Sequence, residues 1–297
     1  MAKCIAVMLH FRNVAMSVRC VGSLVSEGVD ALVIVDNSED GGVSVRELKQ
    51  ELEGASIKVD YIEPGRNLGF SRGVNEAVRL ISRRERDVDV LLINSDATLI
   101  PCTVEHLLQA VSGTSPVVAA PSIDGPTGLV PARTFYRHLT ATISPVGPGW
   151  RGHALLGGAC LMIHRELVVA PLFDESFFFY GDDIEFGYRM TRRGVPLVDV
   201  PAGVVVHQGS GSSQNGSLFY EYHMSRAHLV LTVKLGYGVA GCVLLAVSRM
   251  LFLVLRAAVR SVRFGSLRPW RGLAMAISDL ARGKLRTLTP PAERLGS

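Results

Sequence analysis

The chain has 297 residues, of which 48% are hydrophobic and 20% charged, a balance that excludes a disordered or fibrous protein and leaves length for a sizeable core. Its net charge of +4 is unevenly spread: from Met224 onward 12 Lys and Arg face two acids, so the tail carries +10 and residues 1–223 carry 19 basic and 25 acidic groups, net −6. Five scattered cysteines with no C-x-x-C spacing exclude a disulfide scaffold and fit reduced thiols in a cytosolic compartment.

The opening MAKCIAVMLHFRN has too short an apolar run for a signal peptide and reads as a first strand over residues 4–9, so the body is expected to stay in the cytoplasm. Apolar, β-branched runs follow at 31–35, 57–62, 89–93 and 117–120. Helical patterns fall between them at 14–27, 44–53, 70–84 and 102–112, the last with Pro101 as a first-turn residue. Near-continuous apolar strands alternating with helices predict an α/β fold with a mostly parallel sheet covered on both faces. Residues 122–153, rich in Pro and Gly, read as a long loop or hairpin excursion. A strand over 155–166 (LLGGACLMIHRE) follows, then FFFYGDDIEFGYRMTRRG from Phe177, a strand at 195–200, and VVVHQGSGSS at 204–213.

In an open parallel sheet, ligands bind beyond the carboxyl ends of the strands. Here those ends carry Asp36-Asn37, Pro64-Gly65-Arg66-Asn67, Asn94-Ser95-Asp96 and His207. Asp36 is placed to accept from a ribose hydroxyl or a base N–H, or equally to close an Asx turn. Asn67 to Gly73 opens a helix, with Gly69 giving backbone access to a ligand and Arg72 able to pair with phosphate. Gly73 reads as close helix–sheet packing. Asp96 can hold a divalent cation through hard oxygen, with His207 as a second ligand; taken singly, each has an ordinary reading as a turn residue and a core histidine. Asp182 and Asp183 open the helix behind the aromatic run. One suffices as a cap, and the other, against apolar walls, can have a raised pKa and act as a general base. Glu185 and Arg189 fit an i, i+4 surface pair. No phosphate-binding G-x-x-x-x-G-K-[ST] loop is present and no G-x-G-x-x-G follows the first strand, which argues against an ATPase or an ordinary dehydrogenase.

The ordered set VDNSEDG, NLGFSRGVNEA, LLINSDATL, GGACLMIHRE, FDESFFFYGDDIEFGYRMTRRG and VVVHQGSGSS resembles the family-2 glycosyltransferases of the GT-A fold, and within them a rhamnosyltransferase-type branch. The resemblance covers about residues 4–213. It implies an inverting transfer, dependent on Mn²⁺ or Mg²⁺, from a nucleoside-diphosphate sugar. By position it places Asp36, Asn67, Gly69, Arg72, Asn94 and Gly158 at the nucleotide sugar, and Asp96 and His207 at the metal. It makes Asp183 the base that deprotonates the acceptor hydroxyl, with Asp182 beside it. Two positions depart from the family pattern: Asn94 stands where the metal motif has its first acid, and Asp182 where a Glu is usual.

Residues 235–248 are uncharged. In the segment that follows, Arg249, Arg256, Arg260 and Arg263 fall within an arc of about 60° at ~100° per residue. This predicts a helix lying in an anionic membrane surface with its basic stripe toward the headgroups. A single span over 235–255 competes with it, and a buried core helix comes third. RGLAMAISDLARGKLR, residues 271–286, suggests a second amphipathic helix. The expected organisation is a catalytic domain over 1–215, cytoplasm-facing at the cell membrane, and a helical, basic, membrane-associated region over 216–297.

The function expected is transfer of a sugar, with dTDP-rhamnose as the first donor to test, to a lipid-linked saccharide in cell-surface glycan assembly, with no nucleic-acid partner. The rivals are a natural-product tailoring glycosyltransferase, which would tolerate loss of residues 236–297, and a non-catalytic nucleotide-sugar sensor, which would bind donor without turnover. A sugar nucleotidyltransferase would need a Gly-rich, Arg-containing loop where HFRN stands.

Overall fold

The computed structural model describes residues 3–85, 87–126, 128–149, 152–207, 215–236 and 238–283. In chain order the elements are β1 (Lys3–His10), α1 (Val14–Ser26), β2 (Ala31–Asp36), α2 (Val43–Glu51), β3 (Lys58–Ile62), α3 (Gly69–Arg84), β4 (Val88–Asn94), β5 (Ala97–Leu99), α4 (Thr103–Ala110), β6 (Val118–Gly125) and β7 (Gly128–Val130). Then come β8 (Arg133–Arg137), β9 (Thr142–Ser144), β10 (Gly152–Leu156), β11 (Cys160–Ile163), α5 (Asp182–Arg192), β12 (Leu197–His207), α6 (Leu218–Lys234), α7 (Gly238–Phe264) and α8 (Arg268–Ala281). They form two compact units that interleave in sequence: 1–134 with 155–173 and 190–209, and 135–154 with 174–189 and 210–297.

The first unit is built on one sheet of order β3-β2-β1-β4-β11-β6-β12-β5, with β7 beside β6. β3, β2, β1 and β4 run parallel, with Val7 level with Val33 on one side and Leu92 on the other. β11 then runs antiparallel between β4 and β6, and β12 returns parallel to β6. The sheet is thus mixed, its first half the parallel array that the alternating apolar runs predict. Met8, Leu32, Ile34, Leu91 and Leu107 lie in its fully buried core. A Cβ on Gly73 would sit 2.9 Å from Leu9 Cδ2, so a larger residue there would displace the Leu9 side chain where α3 packs on β1.

Three sequence expectations need correction here. The strand over 155–166 is broken by a turn at Gly157–Gly158, where a Cβ on Gly157 would meet Ile123 Cδ1 at 2.8 Å. The strands at 195–200 and 204–206 are one strand, β12, whose register shifts between Val200 and Val204. The Thr103 hydroxyl accepts from Val204 N and donates to Val204 O, both at 3.0 Å, so the backbone freed by the bulge stays satisfied. α4 runs over Thr103–Ala110, starting one residue after the predicted 102 and leaving Pro101 outside its first turn, and Glu27 accepts from the N–H groups of Cys102 and Val104 at its start.

In the second unit, β10, β8 and β9 form a small sheet out of the Pro/Gly-rich excursion. α6, α7 and α8 pack around Tyr222, Leu229, Leu253, Ala257, Leu273 and Ala276. A Cβ on Gly272 would lie 2.7 Å from Tyr222 N, which sets how closely α8 crosses α6. The end of the predicted amphipathic helix, residues 284–286, lies outside the described residues.

Three of the four arginines of the α7 stripe, Arg249, Arg256 and Arg260, face inward, and Arg263 on the last turn is exposed. Arg256 Nη1 and Arg260 Nε each lie 2.7 Å from an oxygen of Glu221, a fully buried carboxylate on α6. Arg249, 1% exposed, donates to the His138 carbonyl at 3.0 Å. A carboxylate out of water requires cations, and α7 turns its basic side inward to supply them. Its outward face is aliphatic, with Val239, Val243, Val247, Leu251, Leu255 and Val259 all exposed. α7 is long and apolar enough to cross a membrane. Glu221→Ala, which strands two guanidinium groups, is expected to destabilise the chain by roughly 3–5 kcal/mol. Urea unfolding of the full chain in detergent measures this, and an unchanged midpoint would count against the inward stripe.

Candidate active site

The carboxyl ends of β2, β4 and β12 bring the first group of candidates onto the first unit. Asp36 ends β2, and its Oδ1 accepts from Ser38 N at 2.9 Å, so one oxygen closes the Asx turn that its sequence context allowed. Asn37, named with Asp36 at the strand end but given no role from sequence, ties that turn to α3: its Oδ1 accepts from Leu68 N at 3.1 Å and its Nδ2 donates to Gly69 O at 3.2 Å. Asn67 Oδ1 accepts from Gly69 N at 2.8 Å, and Gly69 has φ +73°, a left-handed conformation that accounts for glycine there. Arg72 sits half-buried on the first turn of α3. Arg12, after β1, also has a left-handed backbone, and its Nε donates to Ser38 O at 2.9 Å. That places a cation on the Asp36 turn, and nothing in HFRN signals it because the contact is with a residue 26 positions away.

Asn94 ends β4 and contributes backbone alone to its described contacts, donating from N to Ala159 O at 3.0 Å. Asp96 lies in the turn into β5, and β5 pairs with the end of β12 so that Ala97 is level with His207. The pairing sets His207 Nε2 3.1 Å from Asp96 Oδ1, with side chains 23% and 16% exposed. One carboxylate and one imidazole, partly open to solvent, match the donor chemistry of a Mn²⁺ or Mg²⁺ site completed by other oxygens. No cluster of three or more His, Cys, Asp or Glu occurs among the described residues, so among them Asp96 and His207 stand as a pair. Residues 208–213 of the VVVHQGSGSS motif lie outside the described residues. Gly158 has open space where a Cβ would stand, so packing does not demand glycine there, in contrast to Gly157.

The second unit carries the aspartate pair. Phe177 and Phe178 are core residues, and the backbone then passes through two left-handed residues, Tyr180 at φ +63° and Gly181 at φ +83°. A Cβ on Gly181 would meet the Phe177 ring at 3.0 Å and Ala227 at 3.1 Å, so glycine is required twice over. Gly181 also supplies the carbonyl that starts α5, accepting from Glu185 N at 3.0 Å. Neither aspartate is therefore the cap in the sense the sequence suggested. Asp182 and Asp183 are the first two helical residues, and Asp183 Oδ1 lies 2.8 Å from Ile184 N. Desolvation, and then the charge of Asp183, raise the Asp182 pKa far above the usual carboxylate range; desolvation raises that of Asp183. Two adjacent, half-buried carboxyls cannot both ionise freely, so one holds a proton more tightly than usual. Glu185 and Arg189 form the expected pair, bidentate at 3.1 Å, although Glu185 is buried rather than on the surface.

Linkage gives this pair a measurable signature. A carboxyl whose folded pKa is raised binds more protons folded than unfolded, so stability falls as pH rises from the unfolded carboxylate value toward the folded one. Asp182→Asn is expected to raise the melting temperature at pH 7.5 by about 2–4 °C, the shift produced by roughly 1 kcal/mol in chains of this size, and to lose that advantage near pH 4. A melting temperature lowered equally at both pH values would show that the carboxyl is not held against its own charge.

Comparison with known proteins places this geometry. The chain is 29% identical over 182 residues to the low-salt glycan biosynthesis hexosyltransferase Agl10 of Haloferax volcanii, spanning 57% of this chain and only 56% of that protein. It is 25% identical over 226 residues to the N-acetylglucosaminyl-diphospho-decaprenol L-rhamnosyltransferase of Mycobacterium tuberculosis, covering 64% and 70% of the two. Among solved structures it is similar to GalNAc-T7 with UDP, GalNAc and Mn²⁺, at TM-score 0.59 and 14% identity over 76% of this chain and 47% of that one. The mannosyltransferase PcManGT of Pyrobaculum calidifontis, in complex with GDP-Man and Mn²⁺, gives TM-score 0.54 and 14% identity over 99% and 78%. At such identities these two likenesses are of fold alone. The description "Glycosyltransferase like family 2" matches residues 12–226, well over half of the chain. With that match and this sheet, the chain belongs to glycosyltransferase-like family 2 and adopts a GT-A-like α/β fold.

Proposed function

We propose that the protein transfers a hexosyl group, with dTDP-rhamnose as the first donor to test, from a nucleoside-diphosphate sugar to a hydroxyl of a lipid-linked saccharide, with inversion at the anomeric carbon. The observation that carries this reading is the meeting of Asp96 and His207 at a strand end, within a chain whose family transfers sugars. In this reading the Asp36 turn, the Asn67–Gly73 loop with Arg72, Asn94 and Gly158 receive the nucleotide sugar. Asp96 and His207 would hold Mn²⁺ or Mg²⁺, whose charge offsets that of the departing diphosphate. Asp183 takes the proton of the acceptor hydroxyl while that oxygen bonds to the anomeric carbon and the bond to diphosphate breaks on the opposite face. Asp182 keeps the pair to a single full charge. A base held partly protonated by desolvation is tuned toward neutral pH, where it must work.

A lipid-linked acceptor is supported by the tail, and by the decaprenol in the name of the mycobacterial relative. The aliphatic face of α7 runs toward a turn where Phe264, Leu267 and Trp270 stand exposed among exposed Arg263, Arg268 and Arg271. Aromatic and cationic side chains flanking an apolar face suit the boundary between headgroups and acyl chains. In the proposal α7 therefore lies in the membrane surface with its aliphatic face down. The basic contribution comes from this turn and not from the inward stripe.

Release of nucleoside diphosphate from dTDP-rhamnose, UDP-N-acetylglucosamine and GDP-mannose, with Mn²⁺ and with or without a polyprenyl lipid extract, tests the chemistry. Asp183→Asn is expected to lower turnover at least 10²-fold. Wild-type activity is expected to fall on acidification at a pH above the ordinary carboxylate range, because the base must be ionised. Turnover unaffected by the substitution would show that another group is the base. For the tail, the full chain is expected to float with vesicles containing anionic lipid, and Leu251→Glu with Leu255→Glu to remain in the soluble fraction. Flotation unchanged by the two glutamates would mean that another surface meets the membrane.

A further inference from the structure

The second unit buries another set of polar groups that no step above uses. His138 lies in the turn after β8 and His153 on β10, and they are 1% and 3% exposed. His138 Nε2 and His153 Nδ1 are 2.6 Å apart, and His153 Nε2 lies 2.8 Å from the carbonyl oxygen of Ile184, the residue after Asp183. A carbonyl only accepts, so His153 Nε2 carries the hydrogen. In a neutral ring Nδ1 is then the acceptor, and His138 Nε2–H donates to it. Burial, and then the neighbouring His138, lower the His153 pKa to about 4, which keeps the ring neutral at physiological pH as this tautomer requires. The chain of contacts continues outward, because the His138 carbonyl is held by Arg249 of α7 at 3.0 Å. Around it the Tyr136, His138, His153 and Tyr188 rings pack with centroids 4.9 to 6.1 Å apart, and the Arg249 guanidinium lies 5.6 Å from the Tyr136 centroid.

The first turn of α5 needs an outside hold. It begins after two left-handed residues and opens with two adjacent carboxyls that repel each other. A bond to a backbone carbonyl of that turn fixes its rotation without touching either carboxyl. We infer that His153, seated by His138 and Arg249, is a positioning residue for sugar transfer: it grips the Ile184 carbonyl and so sets where Asp183 presents its carboxylate. The inference rests on Asp183 being the base. Misplacing a reacting group by about 1 Å can lower a rate 10²-fold, so the hold matters to catalysis far more than one hydrogen bond matters to stability.

The test uses the full chain in detergent and three variants. His153→Phe keeps an aromatic ring and loses both bonds, His153→Gln keeps an amide N–H where Nε2 stands, and Asp183→Asn reports on the base itself. His153→Phe is expected to lower kcat roughly 30- to 100-fold. It should leave the dissociation constants of dTDP, UDP or GDP with Mn²⁺ within about twofold of the wild type, and speed hydrogen exchange across residues 177–189. His153→Gln is expected to recover most of the turnover and of the protection. Near-wild-type kcat and exchange in His153→Phe, with Asp183→Asn inactive, would overturn the positioning role and leave the base in place. Turnover retained in Asp183→Asn would instead remove the base, and the exchange data would still decide whether His153 holds the turn. Should His153→Phe fail to fold, His138→Gln breaks the chain one link out, and unchanged kcat and exchange there would equally overturn the inference.

Discussion

Glu221 carries a negative charge where water does not reach, and much of the second unit is arranged to answer it. Left alone, a buried carboxylate costs several kcal/mol, so it holds its place only with cations at hydrogen-bonding distance. α7 supplies two of them from one face. Once that face is committed inward, the rest of the helix follows: the positions opposite are the aliphatic ones, and they are the ones left uncovered. An outward apolar stripe and an inward basic one are thus consequences of the same ion pairs. The arrangement is the reverse of a surface helix that meets headgroups with its own arginines.

A second constraint of the same kind governs α5. Two adjacent carboxyls at a desolvated helix start would repel each other and lose hydration together. The helix dipole favours them there, the Ile184 N–H holds one, and proton uptake relieves the other. Such a site is strained, and the left-handed Tyr180 and Gly181 immediately before it belong to the same pattern. Stability given up at this turn goes with a carboxylate whose affinity for a proton lies nearer neutrality, which suits proton transfer.

On the first unit the organising principle is the strand end. Asp36, Asn94, Asp96 and His207 were all legible as polar residues terminating apolar strands. The reason is general: a parallel strand buried on both faces is nearly all apolar, so its end shows as an abrupt change of residue type. What could not be read was partnership. That Asp96 meets His207 depends on β5 pairing antiparallel with β12, and β5 is only three residues long, too short to leave a periodic signal. Likewise Arg12 meets Ser38 and Asn37 meets Gly69 across sequence gaps that no local pattern spans.

By itself the sequence determined the alternation of strands and helices, the parallel first half of the sheet, the polar strand ends and the angular arc shared by four arginines. All of these are local or periodic, set by which residues tolerate burial and by 3.6 residues per turn. Only the tertiary structure decided which way that arc points, because periodicity groups residues on a face without saying whether the face meets solvent or a buried carboxylate. It also decided that Gly181 and not an aspartate starts α5, since close contact with Phe177 and Ala227 leaves room for nothing larger. His138 and His153 lie in a stretch whose prolines and glycines read as loop, and only the packing of three short strands turns them into a buried pair aimed at one carbonyl.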